Sequence, residues 1–287
     1  MISDRRLSRI QCEKPQNHHT SLVNKGLLTL MTKCAAHFKL RRTVAQENVF
    51  KMIDMIGDAA RAFAVLEAGG IAIFPMDVGY SLTGGSEASL EKIFQTKGRT
   101  KEKLNAMIGD MAIYREVHVL DQRGRDIVRA ITEDYDLPLG AIAPCRTDHP
   151  LLAKLTPGSF ERSTKSGTVA MLINSGPFHA EISRLSLERG HPLFGSSANK
   201  SLTGTKFRVE DIEPELREIA DIRIDHGLRK YHLYRAFSTL LDIESMTVVR
   251  YGAAFELIAD VLRRYFQIEL PPPPPGYLSD LLSGKAG

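Results

Sequence analysis

Residues 71–82 read Ile71-Ala72-Ile73-Phe74-Pro75-Met76-Asp77-Val78-Gly79-Tyr80-Ser81-Leu82. Four apolar residues closed by a proline predict a short buried strand over 71–74. Pro75 to Leu82 then reads as a loop leaving the end of that strand, where α/β sheets usually hold their ligands. Upstream, Met52 to Glu67 has the spacing of an amphipathic helix, stopped by Gly69-Gly70. Downstream, Ser86 is a candidate N-cap for a helix running to Gln95, with Glu87 in its first turn.

The same alternation continues along the chain. Ala106 to Ile108, Leu139 to Ala143, Thr168 to Ile173, Pro192 to Gly195 and Ile222 to Ile224 read as strands. Ser238 to Ile243 and Thr247 to Arg250 read as two closely spaced ones. Helical patterns cover Asp126 to Tyr135, His179 to Glu188, Asp211 to Ala220 and Phe255 to Phe266. Strands and helices interleaved in this way define an α/β domain with a mixed sheet. Three segments follow: a basic extension over 1–51 with a candidate helix from Leu27 to Leu40, a domain over 52–267, and a tail over 268–287. The tail opens on Pro271 to Pro275, a run restricted to an extended path and read as a stiff spacer at the end of the folded domain.

Composition narrows the function classes. Apolar residues make up 43% of the 287, enough to build a core. No stretch approaches the ~20 apolar residues of a membrane span, and the N-terminus, charged from Asp4 onward, lacks a secretory pattern. Cys12, Cys34 and Cys145 are far apart and form no paired framework. Reduced thiols and a cytoplasmic location are therefore expected. There is no zinc-ligand spacing and no HExxH, so no metal site is expected from protein ligands. The net charge of +4 is uneven: residues 1–50 carry nine Lys/Arg against three Asp/Glu, and the rest carry 29 against 31. The basic segment is a solvated face or a contact for RNA or another polyanion.

Four segments carry groups suited to chemistry. Pro75 to Leu82 is the first. Lys97-Gly98-Arg99-Thr100-Lys101-Glu102-Lys103 places four cations in seven residues, enough to neutralise a triphosphate. Gly195-Ser196-Ser197-Ala198-Asn199-Lys200-Ser201 combines small residues, which let a backbone approach a ligand, with hydroxyl and amide groups. It is not a P-loop, because GxxxxGK[ST] is absent. The fourth is Asp225-His226-Gly227 with Ser238-Thr239-Leu240-Leu241-Asp242 and Arg250-Tyr251-Gly252.

In this order and spacing the segments resemble the YrdC-like family, whose best-known member is L-threonylcarbamoyladenylate synthase. That family carries Pro-Thr-Asp-Thr-x-Tyr-Gly-Leu, Lys-x-Arg, Thr-Val-Ala-Val-Arg, Ser-x-Ser-Ala-Asn, Asp-Gly-Gly, Ser-Thr-Val-Val-Asp and Arg-Pro-Gly. The matching stretches here are Pro75 to Leu82, Lys97 to Arg99, Thr168 to Leu172, Gly195 to Asn199, Asp225 to Gly227, Ser238 to Asp242 and Arg250 to Gly252. The resemblance covers roughly residues 52–267. It implies a twisted mixed sheet flanked by helices, with an open basic cleft. It also implies a reaction in which an amino acid or amine, bicarbonate and ATP give a carbamoyl-adenylate and pyrophosphate. Lys97 and Arg99 would neutralise phosphate as the catalytic pair. Lys103, Ser197, Asn199, Ser238, Thr239 and Arg250 would bind the nucleotide, with Mg²⁺ arriving on it. Met76, Val78, Tyr80, Ser81 and Ser196 would face the small substrate.

The chain departs from the pattern mainly on the small-substrate side. Met76 and Val78 replace two threonines, Ser81 a glycine, Gly195 a serine and Leu172 an arginine. The family's Pro-Gly-Pro-x-Thr is Asp136-Leu137-Pro138-Leu139-Gly140. Lost hydroxyls and a lost arginine imply retained nucleotide binding with an altered acceptor, although Ser81, Ser196 or Asn105 could replace the missing contacts for threonine. The alternatives are a non-catalytic binder of nucleotide or double-stranded RNA, and matched loops that are structural turns alone.

Overall fold

The computed structural model describes residues 53–100 and 103–277. The candidate helix at 27–40 and the basic extension lie outside the described residues. The first helix, α1 (Met55–Glu67), is capped by Asp54, whose Oδ1 accepts from Gly57 N at 2.9 Å. β1 (Ile71–Met76) and β2 (Gly79–Gly84) follow, then α2 (Glu87–Lys97). Ser86 caps α2 through a reciprocal box: its Oγ accepts from Ser89 N, and Ser89 Oγ accepts from Ser86 N. Gly98, at φ +61°, ends α2 and turns the chain outward.

β3 (Ala106–Ile108), α3 (Met111–Val117) and α4 (Gln122–Arg129) come next, the last continuing as a wider π turn over Ala130–Asp134. β4 (Leu139–Pro144), two short helices α5 (Pro150–Ala153) and α6 (Pro157–Glu161), β5 (Thr164–Lys165) and β6 (Thr168–Ile173) lead to α7 (Pro177–Arg189). β7 (Phe194–Ser197), α8 (Pro214–Glu218), β8 (Ile222–Arg223), β9 (Leu240–Asp242), β10 (Thr247–Arg250) and α9 (Phe255–Val261) complete the order. All ten strands join one sheet in the order β10-β9-β4-β6-β3-β7-β2-β1-β8, with β5 on β6. The pairs β1–β8, β3–β6 and β4–β9 are parallel and the others antiparallel, so the sheet is mixed as expected.

Three expectations are corrected. The first strand does not end at Phe74: it runs through Pro75 to Met76, then returns after two residues, Asp77-Val78, as β2. Pro75 is tolerated because Tyr80, its partner, directs its own backbone groups away from β1, to Lys206 O and Ala198 N. The missing N–H of Pro75 therefore falls on the far side of β1, beyond the last paired residue of β8. Residues 79–82 are a buried strand rather than a loop, since hairpin pairing overrides the weak strand preference of Gly and Ser. The helix expected over 126–135 starts earlier, at Gln122, and is preceded by α3, for which no element was expected. Asp110 caps α3 through Oδ1, which accepts from Ile113 N at 3.0 Å.

Helices pack on both faces of the sheet. On one face, Phe74, Met76, Ile108 and Leu172 pack with Ala62 and Phe63 of α1 and Phe178 and Ile182 of α7. On the other, Met107, Met171 and Phe194 pack with Ile113, Ile127 and Ile258, and Ile73, Tyr80 and Leu82 pack with Ile93 and Leu216. Each fully buried Leu or Ile contributes roughly 1.5–3 kcal/mol over its exposed state. Beyond α9, the chain makes a π turn over Leu262–Phe266 and crosses the five prolines. Tyr277 then donates its hydroxyl to Tyr251 O, with the two rings edge to face at 5.5 Å.

Two histidines sit inside this core as neutral groups. Burial holds both His118 and His179 down to about 4, with a backbone carbonyl opposing the shift. His118 Nε2 lies 3.1 Å from Val169 O and His179 Nε2 3.0 Å from Leu172 O. A second proton on His118 would meet no acceptor, and on His179 would face Ser175 N–H. Between pH 6.5 and 4 the unfolded chain binds more protons, so stability present above 6.5 is lost as pH falls through that window. Chemical denaturation at pH 7.0 and 4.5 should show a fall on the order of 3 kcal/mol, and His179→Gln should shrink it.

Candidate functional site

The cavity exists because part of one sheet face carries almost no side chains. Directly paired strand residues point to the same side, and the register places Thr83, Gly195 and Ala106 in one row and Ile108, Leu172, Gly140 and Leu240 in the next. Gly195, Ala106, Ala170 and Gly140 form a floor of hydrogens and methyls between bulkier rows. The space above it is about 820 Å³, partly continuous with solvent. At Gly195 a larger residue is excluded, because a Cβ there would lie 2.6 Å from Thr83 Oγ1 and 2.7 Å from Leu82 O.

Around this floor stand Lys97, Arg99, Lys103 and Arg250, and no carboxylate among the described residues lines the space. Lys97 is 5% exposed. Its Nζ donates to Ser197 O and, at 2.5 Å, to Asn199 O. The end of α2 is thus tied to the turn after β7, and Ser201 N adds a bond to Lys97 O at 3.1 Å. Burial, with Arg99 and Lys103 nearby, pushes the Lys97 amine down to about 7, against a small opposing pull from Glu213. Arg99 donates to Leu104 O at 2.7 Å and to Asn105 Oδ1 at 3.1 Å. Arg250 donates to Ser238 O at 2.9 and 3.0 Å, and to Ser238 Oγ at 3.3 Å. Burial brings both guanidinium groups down to about 10, and Arg250 adds repulsion at Arg99. Cations that repel one another at the edge of a cavity are arranged for a polyanion.

The polar partners are graded. Asn199 is 7% exposed and its Oδ1 has no partner, while its Nδ2 donates to Lys200 O at 2.6 Å. Ser196 Oγ is likewise buried without a partner. Ser197 lines the cavity, as does Ser238. Thr239 does not: its hydroxyl donates to Ala253 O at 3.1 Å and accepts from Gly252 N, fixing the turn that follows Arg250.

The residues expected on the small-substrate side are placed differently. Met76, Val78 and Tyr80 are fully buried and lie outside the cavity lining. Met76 shares the floor's sheet face, and with Val78 it belongs to the core that includes Leu172, which does reach the cavity. Tyr80 Oη lies 3.0 Å from Asp225 Oδ1 and 2.9 Å from Gly227 O, and accepts from His226 N. Burial and the Asp225 carboxylate raise its pKa. Ser81 Oγ bonds Thr83 Oγ1 at 3.1 Å and Asn105 holds Arg99, while Ser196 pairs with Leu82, so its hydroxyl is buried on the sheet face opposite the floor and none of the three replacement contacts is presented to the cavity. Reading the motifs one by one missed the floor residues Ala106, Gly140 and Ala170. Their signal is a small side chain at one parity of an otherwise bulky strand.

The fold and motifs agree with the comparisons. The family model described as telomere recombination, covering Sua5, YciO and YrdC proteins, matches residues 64–252. The chain belongs to the Sua5/YciO/YrdC family. No curated protein matches it in sequence. Among solved structures, the hypothetical protein smu.1377c from Streptococcus mutans UA159 aligns at 21% identity and TM-score 0.61, over 73% of this chain and 92% of that one. Sua5 of P. abyssi, complexed with L-threonine, aligns at 18% identity and TM-score 0.59, over 77% of this chain and 61% of its own. E. coli YciO aligns at 17% identity and TM-score 0.52, over 68% and 88%. At these identities the likeness is one of fold.

Two outcomes check the site. An anion that draws close to Lys97 restores its charge, so triphosphate binding at pH 8 should take up close to one proton. Calorimetry in buffers of different ionisation heat reads this uptake, and Lys97→Met should abolish it. Ala170→Leu fills the floor and should lower affinity at least tenfold by the same calorimetry, while far-ultraviolet circular dichroism stays unchanged.

Proposed function

We propose that the protein forms a carbamoyl-adenylate from ATP, bicarbonate and an amino acid or amine. The observation that carries this reading is the cavity ringed by Lys97, Arg99, Lys103 and Arg250, with no carboxylate among the described residues that line it, built from the segments that match the family's motifs. Bicarbonate and the acceptor's amine condense to a carbamate with loss of water. A carbamate oxygen then attacks the α-phosphorus, the P–O bond to the β-phosphate breaks, and pyrophosphate leaves. Such a reaction needs positioning and charge neutralisation more than a protein nucleophile.

In this reading Lys97 and Arg99 neutralise the phosphates as negative charge moves onto the departing pyrophosphate, and Lys103 and Arg250 flank them. Ser197, Asn199 and Ser238 hydrogen-bond the nucleotide, and Thr239 holds the turn that presents Arg250. The acceptor occupies the buried end beside Leu172. Met76 and Val78 share the core that backs Leu172, and Tyr80 and Ser81 stay within the hairpin. Magnesium would arrive on the phosphate oxygens of the nucleotide and would offset their charge there. Among the described residues no helix is long and apolar enough to cross a membrane. Contact with RNA is assigned to the basic residues 1–51, and loss of a salt-dependent RNA affinity on their deletion tests it.

Pyrophosphate release from ATP, magnesium and bicarbonate, compared across threonine and a panel of amino acids and amines, tests the main reading. Acceptor-dependent release should fall at least a hundredfold in Lys97→Ala and Arg99→Ala. ATP binding with no release for any acceptor would replace this reading with a nucleotide-binding one. ATP affinity unchanged in the folded double variant would remove the site assignment itself.

A further inference from the structure

Leu202 lines the mouth of the cavity and is 63% exposed. Its backbone sits at φ +67°, in the left-handed region that β-carbon sterics disfavour for a leucine. Among the described residues it belongs to none of the three apolar cores. The turn that holds it is fastened on both sides. Ser201 N donates to Lys97 O at 3.1 Å, Thr203 N to Lys200 O at 3.2 Å, and Thr203 Oγ1 to Glu213 Oε1 at 2.6 Å. Lys200 N also donates to Glu213 Oε2 at 3.3 Å. A strained, exposed leucine on an anchored turn gains nothing from the folded protein alone. Among the described residues nothing packs over its apolar surface, and a ligand filling the cavity would cover it.

We propose that Leu202 is the nucleobase contact of the cavity, an apolar lip that covers the uncharged base of the bound nucleotide. This rests on the reading of the cavity as a nucleotide site. The chemistry fixes which part of the ligand reaches it. The acceptor lies at the buried end, beside Leu172, which is 4% exposed. The α-phosphorus attacked by the carbamate formed on its amine must come next, so the nucleoside and the departing pyrophosphate extend toward the mouth. Pyrophosphate goes to the cations. The base carries no charge to offer them and takes the apolar surface, with Leu202 on one segment and Phe237 on another; Phe237 stands beside the phosphate-facing Arg250, whose guanidinium is 5.7 Å from its ring centroid.

The experiment compares equilibrium binding of ATP and of inorganic tripolyphosphate to the full chain and to Leu202→Gly, Leu202→Asn and Leu202→Met. Glycine and asparagine accept the left-handed backbone, so both variants should fold, and the melting temperature of Leu202→Gly should equal or exceed the parent's. ATP affinity should drop roughly five- to tenfold in the glycine and asparagine variants. It should stay near the parent value with methionine, and tripolyphosphate affinity should not change in any variant. Unchanged ATP affinity in Leu202→Gly overturns the inference and leaves the nucleotide site standing. A parallel loss of ATP and tripolyphosphate overturns it too, because it assigns Leu202 to holding the phosphate loop. A parent chain that binds no ATP removes the nucleotide reading and this inference with it.

Discussion

The site depends on one buried amine. Lys97 ends α2 and is enclosed by the turn after β7, where Ser197 O and Asn199 O accept its protons. A neutral amine satisfies both carbonyls, and a charged one leaves a proton over in a place where burial and Arg99 already oppose charge. The contact is thus stable without ligand and gains strength with an anion nearby. It joins two segments a hundred residues apart, and Arg99 and Ser201 take their positions from the ends of that joint.

Around it the sheet decides where there is room. The central strands carry large apolar side chains on the face toward α3, α4 and α9, and that face is full. On the other face α1 and α7 cover Phe74, Met76, Ile108 and Leu172, and coverage stops where the floor falls to glycine and alanine. The cavity is therefore bounded by packing on one side and by cations on the other. Leu172 stands at the border, belonging to the core and lining the cavity at once. That one position marks the change from a wall that can pair with charge to one that cannot, and it is where the chain departs from the family's arginine.

Much of this was legible in the amino-acid order. The cap at Ser86, the strands at 106–108 and 168–173, and the cations at 97–103 were readable because caps, short apolar runs and charge clusters are local signals. The hairpin at 71–84 was not. Gly79, Ser81 and Gly84 have weak strand preference, and their pairing with β1 and β7 supplies what they lack. α3 was hidden for a similar reason: it is a short helix whose apolar residues are anchored by a distant core. The substrate-side residues Met76, Val78 and Tyr80 were read as a loop facing ligand, and the hairpin carries them into the interior instead.

The order of residues by itself determined the class of fold, the cations and the departures from the family's hydroxyls, because these are properties of side chains in sequence. Only the tertiary structure decided which of them share a cavity. Sheet register brings Gly140, Ala106, Ala170 and Gly195 together, and a buried lysine bridges two loops. The exposure of Leu202 is decided in the same way, by anchors at Lys97 and Glu213. Register and burial arise from contacts between residues far apart in the chain, and no local pattern encodes them.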